Sequence, residues 1–193
     1  MGNVNPHVPV FIERRIPTHC PPRDFADEHP EATVIGTDIS PIQPSWVPPN
    51  LRFEIEDATQ PWTFAPDTFD FVHMRYLFGA FTDWNAAFAE AYKVLKPGGW
   101  LESFEASSQF HSDDGSLKEG SPMDQWAKVF TEAGKKFGRS FSVINDNVQL
   151  PGIEAAGFVD IKVVEGKVSC SPVACATDDK TEWRGLIRQH RSL

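Results

Sequence analysis

Ionisable side chains follow four short apolar segments of this sequence, each at the point where a predicted strand ends. In chain order these positions hold Asp38, then Asp57-Ala58, then His73 to Arg75, and finally Glu105. Ligands of open parallel sheets bind outside the carboxyl ends of the strands. These residues are therefore expected together at the edge of the sheet that the carboxyl ends form. Carboxylates at such an edge can accept hydrogen bonds from ribose hydroxyls or from an adenine amino group. Each acid taken alone could also cap a following helix, and both roles stay open.

Strands and helices alternate along the chain and predict the scaffold for this edge. Strands are predicted at 33–38, 51–56, 69–74, 100–104 and 159–164. Apolar periodicity predicts helices at 83–95 and 123–137, helix ends at 24–29 and 153–156, and a short basic helix at 181–190. Such alternation is typical of βαβ crossovers and a parallel sheet covered on both faces. We therefore predict an α/β fold with an irregular segment at 1–22, one α/β domain at 23–168 and a polar tail at 169–193.

The composition argues against several classes of function. The chain has 193 residues, 40% of them apolar, and a formal net charge of -9. An acidic chain is a poor partner for a nucleic-acid backbone or an anionic membrane. No apolar run reaches the roughly 20 residues of a membrane-spanning helix, and the N-terminus lacks a secretory pattern. The cysteines Cys20, Cys170 and Cys175 are expected to be reduced thiols, which predicts a cytoplasmic or nuclear protein without a metal site.

The sequences around these strand ends resemble one enzyme family. Ala32–Pro41 (ATVIGTDISP) and Asn50–Ala58 (NLRFEIEDA) resemble the second and third motifs of class I S-adenosylmethionine-dependent methyltransferases. Phe69–Arg75 and Leu95–Glu102 resemble the fourth and fifth strands of that fold. The run from 24 to 58 is especially similar to the fungal LaeA-like branch, which contains regulators of secondary metabolism that associate with velvet proteins, and methyltransferases found beside natural-product pathways. The resemblance covers 23–168 and implies a Rossmann-like, mostly parallel sheet.

The resemblance implies S-adenosyl-L-methionine as the cofactor and gives roles to the residues after the first two strands. Asp38 is then the residue that holds the ribose hydroxyls, with Ile39 and Ser40 beside them. Asp57 is expected to accept a hydrogen bond from the adenine amino group, and Ala58 to donate its backbone N–H to the ring. The implied function is methyl transfer in, or regulation of, fungal secondary-metabolite biosynthesis.

The next two strand ends are expected to serve the reaction itself. By the same resemblance His73, Met74 and Arg75 line the methionine end of the cofactor, beside the methyl group. His73 is the only histidine of this set, so it is the candidate for removing a proton from the acceptor. Each residue also has a structural alternative: Met74 as packing, and Arg75 as the ion-pair partner of an acid such as Asp83. Glu105 is expected either to orient an acceptor substrate or to cap a loop.

The sequence departs from the family at the first motif. The family has a hydrophobic strand and a glycine-rich turn there, whose backbone approaches the methionine portion. Residues 11–22 contain no glycine, and ten of the 16 prolines lie within the first 50 residues. The stretch from Val8 to Ile12 could form a strand, but Pro9 and the charged residues at 13–15 make it a poor central one. We therefore expect a sheet that is incomplete at its first strand and at its C-terminal end.

Three explanations of the missing motif stay open. The chain is a working methyltransferase whose N-terminus is rebuilt or supplied by a partner, or a catalytically impaired accessory factor that binds proteins or pathway intermediates. The third explanation is a misjudged exon boundary in the gene. The expected partner is a small-molecule pathway intermediate or a protein. A nucleotide-binding dehydrogenase is disfavoured, because it needs the same glycine turn and fits the blocks at 50–58 and 95–102 less well.

Overall fold

The computed structural model describes residues 9–13, 21–41, 46–165 and 186–191 of the chain. Seven strands and four helices lie in these ranges. The strands are β1 (Pro9–Glu13), β2 (Val34–Asp38), β3 (Leu51–Ile55), β4 (Phe69–Arg75), β5 (Leu95–Phe104), β6 (Phe158–Val164) and β7 (Leu186–Arg191). The helices are α1 (Pro21–Glu28), α2 (Trp84–Val94), α3 (Pro122–Phe137) and α4 (Gln149–Ala156).

The strands form one sheet in the order β3-β2-β1-β4-β5-β7-β6. The pairs among β1 to β5 are parallel, and β7 lies antiparallel between β5 and β6. The carboxyl ends of β2, β3, β4 and β5 therefore meet at one edge, as the sequence predicts. The predicted α/β class and the mostly parallel Rossmann-like sheet are confirmed.

The central position of the sheet is filled by β1, which differs from the expectation of a missing first strand. Val10 pairs with Ile35 of β2 on one side and with Val72 of β4 on the other. Pro9 is the first residue of the strand, where a missing N–H removes least from the ladder. The two inner edges of β2 and β4 need hydrogen-bond partners, and this demand outweighs the poor local sequence.

The C-terminal position of the sheet is filled as well. The helix predicted at 181–190 is wrong from Leu186 on, because Leu186–Arg191 is a strand that pairs with both β5 and β6. Residues 181–185 lie outside the described residues. A lone basic segment has a weak preference for helix, whereas a strand between two neighbours gains hydrogen bonds along both edges. The segments predicted as irregular at 1–22 and as a tail at 169–193 thus each contribute a strand.

Two apolar layers hold the sheet in place. On one face, Val72, Met74 and Leu101 pack with Phe88 of α2 and Ile153 of α4 in the larger core. On the other face, α1 packs over β2 and β3 through a smaller cluster of Ala26, Ala32, Val34 and Leu51. Helix α2 begins after Asp83, whose carboxylate accepts a hydrogen bond from the Ala86 N–H at 3.1 Å. It ends at Val94, one residue before the predicted end, and the Lys-Pro-Gly-Gly run at 96–99 lies inside β5.

The side chain of Asn50 ties α1 to the start of β3. Its amide nitrogen donates to the carbonyls of Ala26 at 3.0 Å, His29 at 3.0 Å and Ala32 at 3.1 Å. We expect Asn50→Ala to destabilise the chain by about 1–3 kcal/mol, because these carbonyls lose their donor in a partly buried place. Urea unfolding measures this effect. The exposed variant Gln60→Ala is the control, and equal midpoints for the two variants would contradict the prediction.

None of the helices in the described part of the chain has the length and hydropathy needed to cross a membrane. The cysteines Cys20, Cys170 and Cys175 lie outside the described residues.

Candidate functional site

Asp38 lies at the carboxyl edge of the sheet because it is the last residue of β2. Val34 and Ile35 are buried and β-branched, so they favour the strand that ends at Asp38. The Asp38 Oδ1 accepts a hydrogen bond from the Ser40 N–H at 2.8 Å, and its carbonyl accepts from the Glu56 N–H at 3.0 Å. These bonds fix the carboxylate in a turn, so the helix-capping alternative does not apply to it. The side chain of Ile39 is 65% exposed directly beside it.

Asp57 is held in a similar way after β3. Its Oδ1 accepts from the Thr59 N–H at 3.0 Å and from the Thr59 hydroxyl at 2.7 Å. The neighbouring Ala58 packs against the larger core, and its carbonyl accepts from the indole N–H of Trp62 at 3.1 Å. Because Asp38 lies opposite Ile55 in the parallel register, the two aspartates follow adjacent strand ends. Within the described residues, the side-chain carboxylates of both aspartates accept hydrogen bonds only at Oδ1.

His73 lies inside β4, two residues before the strand ends at Arg75. Its Nδ1 is 2.9 Å from Oε2 of Glu102, which stands directly opposite it on β5. The two side chains are only 12% and 13% exposed. The pair therefore lies on a face of the sheet rather than at its carboxyl edge, which favours a structural role over a catalytic one.

Met74 and Arg75 have different surroundings. The Met74 side chain is fully buried in the larger core, which corrects the expectation that it lines the methionine end of the cofactor. The Arg75 guanidinium lies over the ring of Tyr76, 4.8 Å from its centroid, and 5.3 Å from that of Phe104. Cation–π contacts of this kind hold Arg75 at the end of β4. Asp83, the acid expected beside it, is the N-cap of α2.

Glu105 is fully buried directly after β5. Its Oε1 accepts from the Leu77 N–H at 2.7 Å and its Oε2 from the Phe78 N–H at 3.0 Å. Burial raises the pKa of this carboxyl to about 8, although the two backbone hydrogen bonds lower it. A carboxyl without exposure cannot touch a substrate from this position. Of the two predicted roles, the structure therefore supports the loop cap.

Sequence reasoning missed three groups at or near the carboxyl edge of the sheet. Glu102 lies in the predicted strand, but its pairing with His73 depends on the register between β4 and β5. Tyr76 has a φ of 53°, a left-handed conformation that cannot be predicted from a tyrosine in the sequence. The backbone N–H groups of the loop after β4 carry no sequence signal at all. The part of the chain that the structure describes contains no group of three or more metal-binding side chains.

Comparison with known families and proteins gives one consistent answer. Residues 23–141 match a family model described as a methyltransferase domain. Methyltransferase pytC of Aspergillus terreus is 40% identical over 117 residues, which are 60% of this chain and 36% of that protein. The secondary metabolism regulator LAE1 of Cochliobolus heterostrophus is 36% identical, over 72% of this chain and 45% of that protein. The probable methyltransferase tdiE of Emericella nidulans is also 36% identical, over 88% of this chain and 51% of that protein.

The chain thus spans between about a third and a half of the length of these relatives. Solved structures resemble it in fold. An S-adenosylmethionine-dependent methyltransferase from Mesorhizobium loti has a TM-score of 0.62 at 18% identity, covering 99% of this chain and 94% of that chain. A phosphoethanolamine N-methyltransferase from Haemonchus contortus, solved with S-adenosyl-L-methionine, has a TM-score of 0.64 at 15% identity, covering 98% and 49%.

Proposed function

Because the chain belongs to the methyltransferase domain family, we propose that it is an S-adenosyl-L-methionine-dependent methyltransferase that acts in, or regulates, fungal secondary-metabolite biosynthesis. The single observation that carries this proposal is the pair of oriented aspartates at adjacent strand ends. The relatives from Aspergillus and Emericella support methyl transfer, and the secondary metabolism regulator from Cochliobolus supports the biosynthetic context. Either a small-molecule pathway intermediate or a protein is the acceptor, and a cytoplasmic or nuclear location fits both.

The residues at the edge fit the nucleoside part of this cofactor. Asp38 has a carboxylate oxygen available to a ribose hydroxyl, with Ile39 and Ser40 beside it. Asp57 has one available to an adenine amino group, and the Ala58 N–H follows it in the chain. One turn therefore serves the sugar and the next serves the base. The methionine part lacks the glycine-rich turn of the family, since residues 11–22 contain no glycine.

Methyl transfer requires few catalytic groups from the protein. The cofactor supplies an activated methyl group on a sulfonium, and the chain has to align the acceptor with it and exclude water. Arg75, at the end of β4, is the candidate for contacting the reacting groups, because its cation–π contacts fix its direction. Glu102 and His73 support β4 and β5 beneath that point.

Calorimetric titration with S-adenosylmethionine and S-adenosylhomocysteine tests the proposal. We expect binding of both by the folded chain, weaker than in a protein with the glycine-rich turn. Two missing charge-assisted backbone hydrogen bonds weaken affinity by about 10²–10⁴. A folded chain that gives no heat at millimolar ligand would not be an enzyme in this form.

A second function is favoured by one observation, the absence of glycine from residues 11–22. A chain of this family without that turn could serve as a protein-binding factor in the same biosynthetic context. Affinity purification of the tagged chain, with and without added S-adenosylhomocysteine, separates the two functions. An accessory factor captures its partner without binding the nucleoside, whereas an enzyme transfers one methyl group to its acceptor.

His73 can act in two ways, and one variant separates them. As the proton acceptor of the reaction, its loss in His73→Ala would lower kcat by about 10²–10⁴. As the sheet partner of Glu102, its loss would lower Tm and leave kcat of the folded protein unchanged. We expect the second result, because His73 lies two residues inside β4 and is only 12% exposed. Turnover measured together with thermal unfolding decides between them, and Glu102→Gln should behave in the same way.

A further inference from the structure

Two successive residues at the end of β5 bind three successive N–H groups of the loop after β4. The Tyr76 N–H donates to the carbonyl of Phe104 at 3.0 Å. The Leu77 and Phe78 N–H groups donate to the two carboxyl oxygens of Glu105 at 2.7 and 3.0 Å. The loop therefore takes its course from the neighbouring strand end, and a side chain supplies two of the three bonds.

This loop has a conformation that needs such support. Tyr76 has a φ of 53°, in the left-handed region that non-glycine residues adopt at a cost. Beyond it, the Gly79 N–H donates to the carbonyl of Ser140 at 2.8 Å. Gly79 has a φ of 72°, and a Cβ there would lie 2.4 Å from the ring of Phe141. The loop is thus held on one side by Glu105 and on the other by the segment at 140–141.

The chemistry of the Glu105 carboxyl matches this task better than that of its amide analogue. Each carboxyl oxygen can accept a hydrogen bond, and acceptor capacity remains when one oxygen is protonated. A glutamine would turn an NH₂ group, which only donates, toward one of the two N–H groups. Burial of a carboxyl is unfavourable in itself, so packing alone does not explain an acid at this position.

We propose that Glu105 is a positioning residue, whose buried carboxyl holds the loop at 76–79 so that Arg75 and Tyr76 face the ligand edge of the sheet. The inference rests on the proposed function, because that edge is where the cofactor and acceptor would bind. Glu105 acts through the loop backbone and touches neither ligand. Its side chain thereby determines ligand affinity from beneath the site.

Binding of S-adenosylhomocysteine to Glu105→Gln, measured by calorimetry on the full chain, tests this role. We expect affinity to fall by about 10–100-fold, since one backbone hydrogen bond is lost and a donor faces a donor. The matched control is Gln149→Leu, which removes the buried hydrogen bond between Gln149 and Ser103 at 2.8 Å. This control should lower Tm and leave the affinity unchanged. Equal affinities of wild type and folded Glu105→Gln would overturn the proposal, as would an equal loss in Gln149→Leu.

Two further measurements cover the other outcomes. Amide hydrogen exchange at Leu77 and Phe78 should become faster in Glu105→Gln and stay unchanged in Gln149→Leu, whether or not the chain binds the nucleoside. If the wild type does not bind the nucleoside but the two variants show this exchange pattern, the proposed function is contradicted and the loop role of Glu105 is supported. If Glu105→Gln does not fold, Gly79→Ala loosens the loop from its other side. A folded Gly79→Ala with wild-type affinity then overturns the proposal.

Discussion

Replacing Asp38 by alanine is expected to weaken the binding of S-adenosylhomocysteine by about 10²–10⁴. In the proposed complex the carboxylate accepts hydrogen bonds from two ribose hydroxyls, and hydrogen bonds to a charged group contribute about 1.5–3 kcal/mol each. The carboxylate is already oriented, because its Oδ1 is fixed by the Ser40 N–H at 2.8 Å. Binding thus requires little further ordering of this side chain. Calorimetric titration of the folded variant measures the loss directly.

The control for this prediction is Glu154→Gln, which neutralises an exposed acid of α4. It changes the net charge by one unit, so it reports any general electrostatic effect on the ligand. The affinity of Asp57→Ala for S-adenosylhomocysteine should lie between those of Asp38→Ala and Glu154→Gln, because a single amino group is the expected partner of Asp57. If Asp38→Ala binds as tightly as Glu154→Gln, the ribose contact is elsewhere and the assignment of the cofactor edge fails.

The sequence was sufficient for the elements whose patterns are local. Buried β-branched residues predicted β2, and alternation predicted β3, within a residue or two of their observed ends. The two aspartates could be placed at the edge for the same reason, since Asp38 is the last residue of β2 and Asp57 comes shortly after the end of β3. Their turns also explain why neither acid caps a helix: the nearest N–H groups belong to Ser40 and Thr59.

Elements that depend on partners far along the chain could not be predicted in this way. The strand β1 contains a proline, and β7 is rich in basic residues, yet both lie between two neighbours that need hydrogen bonds. The role of Glu105 has the same origin. Its carboxyl reaches the loop at 77–78 only because Arg75 and Phe104 are paired in register at the ends of β4 and β5.

The buried carboxyl of Glu105 should also make the stability of the chain depend on pH. Its pKa is raised from 4.5 to about 8 in the folded state, mainly through burial. Between these values the unfolded chain releases the proton while the folded chain keeps it. Unfolding therefore becomes easier as pH rises, by about 1.4 kcal/mol for each pH unit. The contribution is fully present below pH 4.5 and is lost as pH passes 8, a change on the order of 5 kcal/mol.

Urea unfolding at pH 5, 6, 7, 8 and 9 measures this dependence, and Glu105→Gln is the matched variant because it cannot titrate. All other ionisable groups are common to both proteins, so the difference between the two curves isolates Glu105. The carboxyls with lowered pKa, Asp114 and Asp124, titrate below this window, and Lys128, whose pKa is raised, titrates above it. The unfolding free energy of the wild type minus that of Glu105→Gln should fall steadily from pH 5 to 8 and then level off. Parallel curves would mean that the folded carboxyl ionises near its ordinary pKa, because water reaches it or the loop opens.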